Sequence, residues 1–203
     1  VKIHATFAFM DEALSHIRQM ISAVQPLTTQ EWNDFSGIWR PFSAKRKELL
    51  THQGETEKYL YLVLEGVQRV VYYDEQDREA TVVFTYPPSF GGVLDAFLTQ
   101  QPSRYFHETL TPSAFLRTSF DEIQQLMDSS ANFERLIRKG VTDALSGVLE
   151  RIVELQCFSS EEKFRQLLKR SPHILQLVPH KYLANYLGID PTNFIKLINS
   201  VRI

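Results

Sequence analysis

One stretch constrains this chain more than any other: residues 132–157. Apolar side chains fall at Val141, Leu145, Val148, Ile152 and Leu155, in steps of four, three, four and three. That spacing draws an a/d seam along a helix, narrower than the stripe a helix turns to an ordinary core. Ile137 extends the seam by one more step of four. A run of about 26 residues makes a helix roughly 39 Å long. Gly140 and Gly147 lie seven apart, where a partner backbone can approach, although each costs about 1 kcal/mol of helix propensity. The seam predicts a helix that pairs with its own copy. A helix buried within one globule is the competing reading, because the seam runs for only about two heptads.

The chain changes character on either side of this helix. Upstream, from Trp39, short runs rich in Val, Tyr, Phe and Leu recur at Phe42, Leu49-Leu50, Tyr59 to Leu64, Val67 to Tyr73, Ala80 to Tyr86 and Ala114 to Leu116. Turn residues punctuate them: Gly54, Glu65-Gly66, Asp74 to Asp77, Pro87-Pro88, Gly91-Gly92, Pro102 and Pro112. Six or more short strands with no helix between them predict an antiparallel roll, barrel or sandwich. Ahead of the strands, apolar residues at 10, 14, 17, 21 and 24 give one helix, and the capping box Thr28–Glu31 opens a second. Ser119–Glu122 and Ser159–Glu162 are further capping boxes.

Composition narrows the possibilities. At 203 residues there is room for one large or two small domains, and a 43% apolar share supports a real core. No apolar run reaches the ~18 residues of a membrane span, and the opening Val1 to His4 soon meets Asp11 and Glu12, unlike a signal peptide. The single Cys157 allows neither an internal disulfide nor a cysteine zinc cluster and fits a reducing cytoplasm. Seven basic against three acidic residues put +4 on the segment from Ser159, leaving −6 on the first 158 of the overall −2. A basic tail on an acidic body suits polyanion binding.

Two stretches carry candidate binding chemistry. Phe90, Gly91, Gly92, Val93 and Leu94 follow the Pro-Pro break. Glycines before a short helical start leave backbone N–H groups free to cradle an anion, though a Gly-Gly turn with no ligand is the plainer alternative. Ser103, Arg104 and Tyr105 lie a dozen residues on and can face the same loop. The second stretch is His180 to Asn199. Ala184 and Gly188 are four apart, and Phe194 and Leu197 lie ten and thirteen beyond Ala184. This is helix-turn-helix spacing: a small residue lets two helices touch, glycine takes the tight turn, and apolar residues close the core. Asp190-Pro191 opens the second helix. A purely structural helical hairpin is the alternative.

Together these segments resemble the Crp/Fnr type of transcription regulator, the group of the catabolite activator protein. The β-roll of that family is similar to the stretch holding Tyr61-Leu-Val-Leu-Glu-Gly-Val-Gln-Arg-Val and Phe90-Gly-Gly-Val-Leu, its dimer helix to 132–157, and its winged helix-turn-helix to 159–203, above all Tyr182-Leu-Ala-Asn-Tyr-Leu-Gly-Ile-Asp-Pro. The resemblance implies an α+β chain: packing helices over 1–38, a double-stranded β-roll sensor of the cyclic-nucleotide-binding type over 39–128, a long dimerisation helix over 129–157, and a winged helix-turn-helix over 158–203. It implies a homodimer bound to double-stranded DNA, with RNA polymerase as a further partner, no membrane and no enzyme activity. Base and phosphate contacts fall to Lys181, Tyr182, Thr192, Asn193, Lys196, Asn199 and Arg202.

The chain departs from the family pattern at both sites. Gly92 replaces the Glu that grips the ribose in Phe-Gly-Glu-Leu, and Pro102 stands where an Arg precedes Ser103 to pair the cyclic phosphate. An Arg–phosphate pair is hard to replace, so the effector pocket is expected to hold an unknown small molecule, or none, rather than a cyclic nucleotide. On the second helix of the reading head, Ile195-Lys196 and Ile198-Asn199 replace the usual Arg-bearing positions, which weakens guanine-directed readout. Ile195 and Ile198 are expected to pack within the domain or against thymine methyls. Two rival functions remain at this level: a dimeric signal-binding protein with a degenerate reading head, and a metal-dependent enzyme on a small β-barrel. The second lacks ligands: His52 and His107 are isolated, no His-x-His occurs, and His107 is read as a solvated strand residue rather than a haem ligand.

Overall fold

The computed structural model describes the backbone of residues 2–201 and the side chains of residues 13–201; the side chains of His4 and Met10, and the whole of Val1 and Arg202, lie outside the described residues. Two helices open the chain, α1 (Lys2–Val24) and α2 (Thr29–Gly37). Eight strands follow: β1 (Arg40–Ala44), β2 (Leu49–Thr51), β3 (Tyr59–Glu65), β4 (Gln68–Tyr73), β5 (Glu79–Thr85), β6 (Ser89–Gly91), β7 (Phe106–Thr109) and β8 (Ser113–Ser119). The short helix α3 (Leu94–Thr99) interrupts them after β6. They form two four-stranded antiparallel sheets, ordered β1-β8-β3-β6 and β2-β7-β4-β5. This is the double-stranded roll that the family resemblance implies, where strand spacing alone left roll, barrel and sandwich open.

Strand β3 reads Tyr-Leu-Tyr-Leu-Val-Leu-Glu because both its faces are covered. Successive side chains alternate across a strand. Tyr61 and Val63 join Ala44 and Phe115 inside the roll. Leu60 and Leu62 join Leu116 in a second core with Ile17, Ile21, Phe35, Ile123, Leu126, Phe133 and Leu136 from the flanking helices and Trp39 from the link between α2 and β1.

Helix α4 (Phe120–Ser129) leads into α5 (Ala131–Cys157), which is 27 residues long. Then come α6 (Ser160–Arg170), α7 (Ile174–Leu177), α8 (His180–Leu187) and α9 (Pro191–Ser200). These four pack around Phe164, Leu167, Leu183, Ala184, Leu187 and Phe194, and the cluster includes Val67 and Leu110 of the roll. No strand accompanies α6–α9 among the described residues, so the strands of the expected wing are not among them. Among the described residues no helix is long and apolar enough to cross a membrane.

All three capping boxes form with reciprocal bonds, at Thr28–Glu31, Ser119–Glu122 and Ser159–Glu162. The first reaches further. Glu31 also accepts from Ser130 Oγ at 2.5 Å and Asn132 Nδ2 at 3.1 Å, so one carboxylate ties the start of α2 to the start of α5. The Ser130 hydroxyl and the Thr28 amide hold its pKa at about 2, against an ordinary 4.5. A depressed carboxylate pKa contributes stability above the ordinary value and loses it as pH falls toward the folded one. Glu31→Gln should therefore lower stability near neutral pH by about 1 kcal/mol, the worth of a helix cap, because the half-buried group is partly screened by water. The gap between variant and parent should close as pH falls from 4.5 to about 2 in thermal unfolding, and a gap independent of pH would contradict this assignment.

Candidate functional site

The glycine loop grows directly out of β6, whose Phe90 and Gly91 pair with Leu62 and Tyr61 of β3. Gly92 then takes φ +122°, a conformation side chains rarely adopt, and a Cβ there would lie 3.2 Å from the Tyr59 carbonyl oxygen. The backbone thus explains why glycine rather than glutamate occupies this position. Val93 is buried with Val70 and Ala96, and Tyr105 packs on the same cluster, so the structure brings those two predicted residues together. Leu94 is half-buried, while Phe90 is 37% exposed and tilts over the Trp39 ring. Ser103 is buried and spends its hydroxyl locally, donating to Tyr105 O at 2.8 Å and accepting from Tyr105 N at 2.9 Å. Arg104 is exposed.

The group bonded to this loop was not foreseen. Glu57 is 1% exposed, and its Oε2 accepts the Val93 N–H at 3.1 Å and the Thr51 hydroxyl at 2.6 Å. Its other oxygen lies 3.4 Å from Tyr59 N. In sequence, Glu55-Thr-Glu-Lys reads as a polar turn, with no sign that one carboxylate turns inward. His107 likewise departs from expectation. It is wholly buried rather than solvated, because β7 turns it into the roll beside Tyr61, at 5.5 Å between ring centroids. Its Nδ1 stands 3.7 Å from Glu57 Oε2, and neither ring nitrogen has a hydrogen-bond partner among the described residues. Burial raises the Tyr61 hydroxyl pKa, and the Glu57 charge adds to the rise. A cleft of about 240 Å³ opens beside this group, lined by Phe42, Leu50, Glu57, Tyr59, Tyr61 and Arg117 among others.

The second site is the helix pair α8–α9. Gly188 takes the turn at φ +62°. Asp190 caps α9 by accepting from Thr192 N at 2.8 Å and Asn193 N at 3.2 Å, and Pro191 takes the first turn, where its missing N–H is harmless. Phe194 and Leu197 are buried against α8, which leaves Thr192, Asn193, Ile195, Lys196 and Asn199 exposed. Ile198 packs against the domain core, whereas Ile195 is 46% exposed. Lys181 is exposed, its Nζ 4.6 Å from the Tyr182 ring centroid.

Tyr182 has another partner. Its ring carries the Arg69 guanidinium of β4 at 4.0 Å. Arg69 is 2% exposed and bonds Glu108, Thr81, Tyr73 and Glu79. Nearby, the Asn185 amide bonds the backbone of β5 twice, accepting from Thr81 N and donating to Glu79 O, both at 2.7 Å. Phe84 meets Tyr186 at 5.2 Å, and the Tyr86 and Ser171 hydroxyls bond each other. Helix α8 is thereby fastened to the roll, and the Tyr182 ring lies in that contact.

Helix α5 divides into three parts. Phe133, Leu136 and Ile137 pack on the core beside α1 and α2, and Val141 is half-buried. Leu145, Val148, Leu149, Ile152, Val153 and Leu155 are exposed, between 39% and 55%. The bare face is wider than the seam, because Leu149 and Val153 belong to it. Space around Gly140 and Gly147 is open. The last turns join α6 and α8: Glu154 is buried and accepts from both terminal nitrogens of Arg170, at 2.5 and 2.7 Å, and Arg151 lies over the Tyr186 ring.

Residues 41–130 match the family model of the cyclic nucleotide-binding domain. No curated protein matches the chain by sequence. Among solved structures, it is similar to FixK2 from Bradyrhizobium japonicum, with a TM-score of 0.73 at 14% identity, over 80% of this chain and 83% of that one. The regulator CLP of Xanthomonas campestris, described as responsive to c-di-GMP, matches with a TM-score of 0.62 at 15% identity, over 85% and 90%. A Crp/Fnr-family transcriptional regulator from Thermus thermophilus matches with a TM-score of 0.58 at 21% identity, over 79% and 84%. The chain therefore has a Crp/Fnr regulator fold built around a cyclic nucleotide-binding-type domain.

The Asn185 contact has a direct test. Asn185→Ala removes two bonds to the β5 backbone and should cost about 1–3 kcal/mol in urea unfolding. Hydrogen exchange at the Thr81 amide should rise with it; an unchanged Thr81 rate would show that α8 is held without this side chain.

Proposed function

We propose that the chain is a homodimeric DNA-binding transcription regulator of the Crp/Fnr type, with a β-roll that does not use cyclic AMP. One observation carries this reading: α9 presents an exposed, largely polar face with Lys196 at its centre, in a chain whose long helix α5 has an apolar, bare middle. Six large apolar side chains on one surface helix call for a partner, and a second copy meets them with the same face around a two-fold axis. Two α9 helices related by that axis would enter successive major grooves about 34–36 Å apart. Thr192, Asn193 and Asn199 would supply hydrogen bonds and Lys196 a phosphate contact. Contact with RNA polymerase belongs to the same reading.

Signal would pass through the fastening of α8 to the roll and through Glu154–Arg170, since both connect α5 or the sheets to the reading head. An effector shifts such a contact only by binding one arrangement better than the other. A second reading, a dimer whose reading head no longer grips DNA, draws on the exposed Ile195, an apolar side chain among the groups that would face the duplex.

Two measurements separate these. Leu149→Asp should turn dimers into protomers in sedimentation equilibrium, raising Kd more than ~100-fold, because it sets charges in an apolar contact. An unchanged dimer would remove α5 as the interface. In mobility shift at low salt against a random-site duplex library, the parent chain should be retained. Lys196→Ala should lower affinity across all sequences and reduce the slope of log K against log salt by about 1 per head. Dimers without DNA retention would favour the second reading.

A further inference from the structure

Of the two readings of the glycine loop, anion cradle or plain turn, the structure offers something to the first: a carboxylate of the chain itself sits at it. The Glu57 carboxylate accepts the Val93 N–H, the amide that follows Gly91-Gly92, and lies 3.7 Å from where a Cβ on Gly92 would stand. It is no surface residue folded over by chance. The side chain is 1% exposed, the Thr51 hydroxyl donates to the same oxygen at 2.6 Å, and Gln100 Nε2 lies 3.4 Å from the Glu57 carbonyl. A buried carboxylate is costly unless hydrogen-bond donors surround it. Donors from β2, from the start of β3 and from the loop itself converge on this one.

We infer that Glu57 is the loop's own ligand: its carboxylate, tethered by the connection between β2 and β3, takes the seat a phosphate would take, so the roll is complete without an anionic effector and rejects one. A phosphate entering here would lose the Val93 amide to Glu57 and face a second anion at contact distance. Among the described residues no arginine or lysine is bonded to the loop to compensate. Arg104 is exposed, and the buried Arg69 is committed to Glu108 and Glu79. Glu57 is thus the residue that determines what the loop excludes. The inference rests on reading residues 90–94 as the effector loop and is independent of DNA binding.

The cleft lined by Glu57, Tyr59 and Arg117 makes this testable, because truncating Glu57 opens the seat to solvent through it. The full chain is titrated with cyclic AMP and with inorganic phosphate while the Val93 amide is followed by NMR. In the parent chain that signal should stay in place with both. Glu57→Ala is purified in acetate, so that its folding does not depend on an empty cradle. Removing acetate should lower its Tm by several degrees. Returning acetate or formate, but not chloride, should restore the Tm and move the Val93 signal. A Val93 shift in the parent chain on adding cyclic AMP or phosphate would overturn the inference. So would a Glu57→Ala variant equally stable with and without acetate. Loss of DNA retention or of the dimer would sink the regulator reading and leave both readouts as they are.

Discussion

One helix is anchored at both ends, and the rest of the molecule is arranged around that constraint. The first turns of α5 are buried with Phe35, Ile123 and Leu126 through Phe133 and Leu136, while its last turns hold Arg170 of α6 through Glu154. A continuous helix transmits rotation and translation along about 1.5 Å per residue with little give. Neither end can shift without the other feeling it. The middle of the helix lies between these two anchors and packs on neither, so its apolar side chains stand bare in the single chain. The Glu31 carboxylate fixes the near end by joining the caps of α2 and α5. The far end is fixed by a bidentate pair, the strongest geometry an arginine offers a carboxylate.

Much of this was legible in the sequence, and the reasons are local. Caps, the glycine turn and the packing residues of the helix pair all act within a few positions, so Thr28–Glu31, Gly188 and Phe194 announce their roles by spacing alone. Strand β3 could be read as buried on both faces because its apolar run is unbroken. On α5, Leu149 and Val153 fall outside a strict a/d pattern yet stand as exposed as the members of the seam. What stayed hidden was polar and non-local. Arg69, in the run Gln-Arg-Val-Val, has the look of an outward-facing strand residue. Only the fold brings Glu108, Glu79 and the Tyr182 ring around it. Glu57 and His107 are the same kind of case, as no sequence spacing links them to each other or to Val93.

The buried Arg69 cluster is better understood as a device of specificity than of stability. A buried ion pair seldom outperforms apolar packing, yet removing one member leaves an uncompensated charge and is strongly destabilising. Its guanidinium touches both sheet partners and a ring from α8, so the cluster ties α8 to β4, β5 and β7. Slippage of α8 along the roll would strip the cation–π contact and leave the two ion pairs in place.

The Asn185 amide has a consequence of a different kind. β5 is the outermost strand of its sheet, paired with β4 on one side only, and Val82 and Val83 stand exposed along it. An outermost strand with free backbone groups is a template for adding a foreign strand. Asn185 imitates one residue of such a strand, meeting a backbone donor and a backbone acceptor with a single side chain. Were α8 lifted from β5, that margin would stand open to intermolecular pairing. The same two hydrogen bonds that hold α8 to the roll therefore also cover the open side of its sheet.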